Sequence, residues 1–449
     1  MAETIVGIAT AQGEGGIAIV RISGDDAIPL FEKVFTAAGK QPPFESHRLM
    51  YGHVVDGGTV IDEAMGVIMR APRTYTREDV CEIHTHGGSV AAALTVKLLI
   101  RHGARPAEAG EFTRRAFMNG RIDLSQAEAV MGVISAQSAA ALRAEQQQLA
   151  GGQSQFIRQA QEDLTLLLSG LEAHIDYPDE IDEDEAMTGL IDGLNGLIRR
   201  LSGSVNEKSA RILREGLRVA LLGRPNAGKS TLFNALLGEE RAIVTNIPGT
   251  TRDVLEDSFA LDGVNILLSD TAGLRESGDI VEQIGVERAM QTLQHADVAL
   301  LLVDAGEEPS PEVIQLMEMP MACPCALVLS KQDAEVLFTP EMAAKLAQKD
   351  AVIPVSAKTG EGLDDLRAFL RQFIRLPQQL QLTQERHMLL AREALEKLHQ
   401  AKETLESSAP LDMAAIDMHE ALYILGRITG DSVDEKLLDD IFSRFCVGK

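Results

Sequence analysis

The sequence predicts a multidomain chain: an α+β N-terminal domain, an α-helical bundle, and an α/β P-loop domain inserted into that bundle. Three observations predict it. Gly223-Arg224-Pro225-Asn226-Ala227-Gly228-Lys229-Ser230 is a glycine-rich phosphate-binding loop. It lies between an apolar strand, Leu217 to Leu222, and an apolar helix carrying Leu232, Phe233, Leu236 and Leu237. Helical periodicity precedes this unit and resumes after it, whereas residues 1–118 mix strand-like runs, turn glycines and one apolar helix.

In chain order, Ile17 to Ile22 and Ala64 to Met69 read as strands, and Val90 to Ile100 as a helix. From Leu124 the pattern becomes one long helical stretch through Ala129, Val133, Ile134, Ala141 and Leu142. Helices follow from Leu164 to Ile175 and from Leu190 to Leu213. After the P-loop unit they return from Glu385 to Leu405, Met413 to Ile428 and Val433 to Phe445. The expected boundaries are 1–119 for the N-terminal domain, 120–215 and 375–449 for the two parts of the helical domain, and 216–374 for the inserted unit. Nucleotide-driven motion would pass through both joints.

The chemistry of the loop is local. Its glycines let successive N–H groups, from Asn226 through Ala227, Gly228, Lys229 and Ser230 to Thr231, face phosphates. Lys229 reaches the terminal phosphates, and the Ser230 hydroxyl suits Mg²⁺. Guanine follows from what lies downstream. Asp270-Thr271-Ala272-Gly273 ends an apolar strand, Val264 to Ser269, placing a carboxylate beside the metal. Thr245-Asn246-Ile247-Pro248-Gly249-Thr250-Thr251-Arg252-Asp253 is a polar loop with Thr251 placed to close over Mg²⁺. Ser330-Lys331-Gln332-Asp333 follows the strand Ala326 to Leu329, and Asp333 can accept from the guanine N–H groups. Ser356-Ala357-Lys358, after Val352 to Val355, offers a backbone N–H to the base carbonyl. Together these specify a Ras-like α/β P-loop GTPase domain. One residue departs from the pattern. GTPases usually carry Asn-Lys-x-Asp, and Ser330 is too short to make all of the asparagine's bonds, so looser base selectivity or lower affinity is expected.

Composition excludes other classes. A hydrophobic fraction of 45% with 24% charged residues describes an ordinary globular chain. No basic segment followed by an apolar core opens the sequence, so no signal peptide is read. The densest apolar run, Val298 to Val303, is far short of the ~20 residues that span a bilayer. Cys81, Cys323, Cys325 and Cys446 show no metal spacing, which fits a reducing cytoplasm. The net charge of −25 opposes a protein that simply coats RNA. Residues 1–120 hold 12 Lys and Arg against 14 Asp and Glu, while 121–215 hold 8 against 16. Any RNA contact is therefore expected in the N-terminal part. The acidic run Asp176 to Glu185 reads as a solvated interhelical loop.

Two N-terminal stretches, Thr74 to Gly88 and Gly110 to Leu124, cluster glycines, histidines and arginines after short apolar runs. His84 and His86 alternate on a strand and share a face, open either to a metal or to ordinary packing. Arg114 and Arg115 fit a solvated helix face, a ligand site or a subunit contact.

The loop with Pro225-Asn226, Gly249-Thr250-Thr251-Arg252-Asp253, Asp270-Thr271-Ala272-Gly273-Leu274-Arg275, both N-terminal stretches and the closing Phe445-Cys446-Val447-Gly448-Lys449 together resemble the MnmE (TrmE) family of tRNA modification GTPases. The resemblance runs from the first strand to the last residue. It implies a cytoplasmic homodimer that binds folate and dimerises through residues 1–119. It implies an FAD-containing partner of the MnmG type, in a heterotetramer, and tRNA as substrate. The two proteins would install a carboxymethylaminomethyl or aminomethyl group at the 5-position of the wobble uridine. The one-carbon unit would come from a tetrahydrofolate, in the 5-formyl or methylene form. No membrane association is implied.

Residue roles follow from the same resemblance. Leu274 stands where many GTPases carry a water-orienting glutamine, and Glu282 matches the family's catalytic glutamate. Potassium takes the place of an arginine finger, with ligands on Asn226, Thr245, Ile247 and Thr250. Asn226, Arg252, Asp253 and Cys446 join Glu282 as catalytic candidates, although Cys446 is equally an ordinary packing residue. The 5-formyltetrahydrofolate site maps onto Arg21, Glu82, Arg121 and Lys449, with Arg121 where some relatives carry lysine. Lys449 can belong to that site only if the C-terminal residues fold back onto the N-terminal domain. The alternative is a ribosome-assembly GTPase binding rRNA. It generally needs an RNA-binding module, and no Gly-x-x-Gly loop in a basic helical context follows residue 375.

Overall fold

Alternating burial builds the N-terminal sheet. In strand β2 (Ile17–Ser23), Ala18, Val20 and Ile22 enter the core and leave Arg21 on the opposite face. The chain runs β1 (Ile5–Ile8), β2, helix α1 (Ala27–Val34), β3 (Phe35–Ala37), β4 (Met50–Asp56), β5 (Thr59–Met69), β6 (Val80–His86), α2 (Ser89–Arg101), β7 (Arg105–Pro106) and α3 (Glu111–Met118). The strands form one sheet in the order β3-β4-β5-β6-β2-β1-β7, antiparallel except for β1 beside β7. Its core gathers Ile22, Phe31, Phe35, Ile68, Ile83 and Leu99. This register sets Arg21 directly opposite Glu82, because β2 and β6 pair antiparallel.

The computed structural model describes residues 3–11, 13–39, 41–177, 183–224, 226–238, 257–270, 293–347, 349–374, 382–407 and 409–449. They fall into two compact units, Met1–Met131 with Gln148–Ile191 and Gln400–Lys449, and Gly132–Gln147 with Asp192–His399.

Helices follow the sheet: α4 (Leu124–Ser135), α5 (Ala139–Leu149), α6 (Gly152–Asp176), α7 (Glu183–Ser204) and α8 (Glu207–Glu215). The single long stretch expected from Leu124 is broken after Ser135. Ser138 starts a new helix, its Oγ accepting the Ala141 N–H at 3.1 Å. Asn206 likewise separates α8 from α7 by accepting the Ser209 N–H at 3.0 Å.

The P-loop domain contributes β8 (Leu217–Leu222), α9 (Lys229–Leu237), β9 (Asp257–Leu261), β10 (Val264–Asp270), β11 (Val298–Asp304), α10 (Pro311–Glu318), β12 (Cys325–Ser330), α11 (Pro340–Leu346), β13 (Ala351–Pro354) and α12 (Leu363–Arg371). Its sheet order is β13-β12-β11-β8-β10-β9, parallel apart from the β9–β10 hairpin. Apolar runs dominate β8, β11 and β12 because parallel strands are covered on both faces. From β8 the chain passes through α9 to β9 and β10 on one side, whereas from β11, on its other side, it runs on outward to β12 and β13. The crevice at the C-terminal end of β8 is therefore a topological switch point. Helix α5 meets the hairpin turn in the same unit: the Ala140 N–H donates to the Gly263 carbonyl at 2.9 Å, and Asn265 Nδ2 to the Gln137 carbonyl at 2.8 Å.

Three helices close the chain, α13 (Glu385–Glu406), α14 (Leu411–Thr429) and α15 (Glu435–Phe442). Helices α14 and α6 pack together, burying Met418, Ala421 and Leu425 along one and Leu164, Leu168 and Leu171 along the other. Phe442 of α15 and Phe445 beyond it join Ala116, Leu124 and Ala127 in a small core. No described helix is long and apolar enough to cross a membrane.

Candidate functional site

The phosphate loop leaves β8 at the switch point. Asn226 takes φ 67°, and Gly228 stands at the head of α9, whose first turn points its N–H groups toward the crevice. Lys229 is buried, and its Nζ donates to the Gly223 and Arg224 carbonyls of its own loop. Ser230 and Thr231 follow on the first turn, both exposed. Across the crevice, the ends of β12 and β13 supply the base-side residues. Asp333 Oδ1 accepts from Ser356 Oγ at 2.8 Å, and Lys358 Nζ lies 3.8 Å from Oδ2. The Ser356 hydrogen bond above all, with Lys358 assisting, holds the Asp333 carboxyl below the usual carboxylate range. Lys331, at φ 60°, places Nζ 2.6 Å from Asp304 Oδ2.

A cavity of about 220 Å³ joins the two sides, lined by Gly228, Thr231, Ser330, Lys331, Asp333, Ala357 and Lys358 among others. The phosphate-loop and base-side residues expected from sequence thus meet in one place. The Asp270 backbone ends β10, beside β8. The expected Thr245, Asn246, Ile247, Pro248, Gly249, Thr250, Thr251, Arg252, Asp253, Thr271, Ala272, Gly273 and Glu282 lie outside the described residues. Sequence reasoning missed the bracing roles of Asp304 and of the Ser356 side chain. A carboxylate closing β11 and a hydroxyl closing β13 were the available signals.

The other unit gathers a second constellation around Tyr75. Arg21 Nε lies 2.9 Å from Glu82 Oε1, and both side chains are about 85% buried by their exposures of 15% and 16%. The Arg21 guanidinium stands 5.2 Å from the Tyr75 ring centre and 5.7 Å from that of Phe112. Arg121 lies 4.7 Å from the Tyr75 ring and donates from Nη1 to the Tyr75 carbonyl at 3.0 Å. The Tyr75 hydroxyl is 2.9 Å from Thr113 Oγ1.

The C-terminal residues do fold back here. Ala109 bridges to Val447, the Gly110 N–H reaches the Cys446 carbonyl at 3.4 Å, and Arg21 Nη1 donates to the Gly448 carbonyl at 3.4 Å. Burial, and then the Arg21 charge, pull the Lys449 ammonium below the usual lysine range, against the opposing influence of Cys446 and Glu82. Arg21, Glu82, Arg121 and Lys449 therefore converge. Tyr75, whose ring both arginines approach, was missed; an aromatic residue alone between two threonines was its signal.

Gly448 is what lets the tail lie so close. Its φ is 97°, and a Cβ there would stand 2.1 Å from the Ile8 carbonyl oxygen. Gly448→Ala is expected to lower stability by about 1–3 kcal/mol and to lift Lys449 from the cluster. Thermal unfolding with limited proteolysis of the tail tests this, and an unchanged melting temperature would refute it.

The other singled-out residues of this unit make polar contacts within it, Cys446 apart. His84 Nε2 is 3.2 Å from Glu82 Oε2, and His86 Nδ1 is 2.8 Å from Asp62 Oδ1, a bond that raises the His86 pKa. No group of three metal-ligating side chains occurs among the described residues. Arg115 is not on a solvated face: it pairs with Glu78 at 3.1 Å and Glu111 at 3.0 Å, fastening α3 to the Tyr75 loop. Arg114 pairs with Asp439 at 2.9 Å. Cys446 is exposed.

Residues 4–121 match the family model for the GTP-binding protein TrmE N-terminus, and residues 124–446 that for the MnmE helical domain. The tRNA modification GTPase MnmE of Listeria innocua serovar 6a is 42% identical over 454 residues, covering 100% of this chain and 99% of that one. This chain belongs to the MnmE family. The MnmE of Bacillus subtilis strain 168 is also 42% identical, over 459 residues and the whole of both chains. Among solved structures, the G domain of the T. maritima FeoB iron transporter aligns at 27% identity with a TM-score of 0.27, over 35% of this chain and 99% of that one.

Proposed function

We propose that this chain is a cytoplasmic, GTP-hydrolysing tRNA modification enzyme of the MnmE type. In this reading it acts as a homodimer with an FAD-containing partner of the MnmG type. The pair adds an aminomethyl or carboxymethylaminomethyl group at the 5-position of the wobble uridine. The observation that carries the reading is that Arg21 and Arg121 meet on Tyr75, with Glu82 and Lys449 beside Arg21, in a chain that also bears a phosphate loop.

The donor set fits a tetrahydrofolate. An aromatic face suits the pteridine, Glu82 suits its amidine-like edge, and three cations against one carboxylate suit the carboxylates at its other end. The folate would supply the one-carbon unit when bound. Arg21 would orient Glu82, and Tyr75 would stack and exclude water. At the nucleotide site, the N–H groups ahead of α9 and Lys229 bind phosphates, Ser230 and Thr251 hold Mg²⁺, and Asp333 reads the base. Glu282 orients the attacking water. Asn226, Thr245, Ile247 and Thr250 would hold potassium, which would supply positive charge against the charge that develops. Hydrolysis is therefore expected to be faster in K⁺ than in Na⁺, and Asn226→Ala to erase the difference while nucleotide still binds. Equal wild-type rates in matched salts would sink the cation assignment.

The deciding experiment is mass-spectrometric nucleoside analysis of tRNA from cells lacking the chain. Loss of 5-substituted wobble uridines, restored by wild type and not by Glu282→Ala, is expected. An unchanged profile with accumulating ribosomal precursors would favour the rRNA-binding assembly reading instead.

A further inference from the structure

Ser330 stands where guanine-nucleotide loops ordinarily carry asparagine, and its hydroxyl hydrogen is already committed. The side chain is 7% exposed. Its Oγ donates to the Ala227 carbonyl at 2.7 Å and to the Val303 carbonyl at 3.2 Å. Ala227 belongs to the phosphate loop, Val303 to β11 and Ser330 to the end of β12, so one hydroxyl fastens three segments of the nucleotide site.

A hydroxyl carries one hydrogen, and two carbonyls already share this one. What Ser330 can present to a nucleotide is a lone pair. An asparagine amide carries two hydrogens, and can hold a scaffold carbonyl with one while reaching the base with the other. Guanine offers only acceptors, N7 and O6, on its Hoogsteen edge. A lone pair facing an acceptor gains nothing. Lys331 does not substitute, because its Nζ is drawn to Asp304 at 2.6 Å.

We infer that base recognition in this chain makes no use of guanine N7. Ser330 is a positioning residue that braces the phosphate loop, and discrimination rests on Asp333, which lines the same cavity. This deepens the GTP-binding reading and rests on it.

The test is calorimetric titration of the full chain with GDP and with 7-deaza-GDP, which replaces N7 by C–H and leaves the Watson–Crick edge intact. Wild type is expected to bind the two within about twofold. Ser330→Asn, which restores a free N–H, is expected to prefer GDP by about 3- to 10-fold, the worth of one net hydrogen bond. Ser330→Ala should weaken both ligands equally, since losing the brace does not change the ratio. A wild-type preference for GDP of about fivefold or more would overturn the inference, even if the asparagine variant failed to fold. Failure of wild type to bind either ligand would instead overturn the guanine-nucleotide reading, and this inference with it.

Discussion

Asp333→Asn is expected to move nucleotide preference from GTP to XTP. The wild-type carboxylate is fixed by Ser356 Oγ at 2.8 Å, and that bond first, with Lys358 assisting, holds it below the usual carboxylate range. In the proposed reading it would meet two N–H groups of guanine as a pure acceptor. Hydrogen bonds to a charged group contribute about 1.5–3 kcal/mol each, so losing one weakens GTP by about 10- to 10²-fold, and neutralising the acceptor of the other weakens it further. Asparagine sets an NH₂ against one guanine N–H, but the same NH₂ suits the carbonyl that xanthine carries in place of the amino group. Competition binding with GDP and XDP reads the switch. GTP affinity within about threefold of wild type, with no gain for xanthine, would remove Asp333 from base recognition.

The P-loop domain was legible because its signals are local. Strands β8, β11 and β12 are covered on both faces and so read as unbroken apolar runs, and the phosphate loop is contiguous. The N-terminal sheet hid more of itself. In β5 only Ala64 to Met69 showed in the sequence, since Thr59 to Glu63 mix three polar residues with Val60 and Ile61 and none of the five is buried. Strand β4 was missed: it carries Gly52 at a core-facing position, where a Cβ would come within 2.2 Å of the Thr36 carbonyl oxygen. The break after Ser135 was missed because apolar residues resume at once from Ala139 to Leu142, and only the capping geometry of Ser138 reveals it.

At the sites, legibility followed the range of the interaction. Asp333 was readable from a four-residue motif, but its brace, Ser356, lies on a different strand end and joins it through tertiary structure. Ser330 was judged by length as a deficient asparagine; its two carbonyl contacts show that the scaffold bond is kept and only the outward donor is gone. The Tyr75 constellation draws on β2, β6, the segment after α3 and the C-terminal residues, so no local pattern could assemble it. The family resemblance selected four of its members and left out the aromatic ring on which two arginines converge.

Glu82→Gln should separate folate binding from folding. The glutamine keeps a hydrogen-bond acceptor for Arg21, now 2.9 Å from Glu82 Oε1, so the expected stability loss is only about 1–2 kcal/mol for a largely buried pair. Affinity for 5-formyltetrahydrofolate should fall much further, about 10- to 100-fold, because the pteridine edge loses its charged acceptor. Lys449 supplies an independent signature. Its free-state pKa is depressed, by burial first and then by Arg21, and an anionic ligand favours the ammonium form. Binding therefore takes up a proton in the range between the free and bound pKa values. Affinity should decline as pH rises through the depressed free value, and Lys449→Met should bind more weakly without that decline. Calorimetry across the alkaline range distinguishes the cases. If Glu82→Gln binds the folate like wild type, and affinity is flat with pH in both lysine and methionine forms, the Tyr75 cluster is packing and not a folate site.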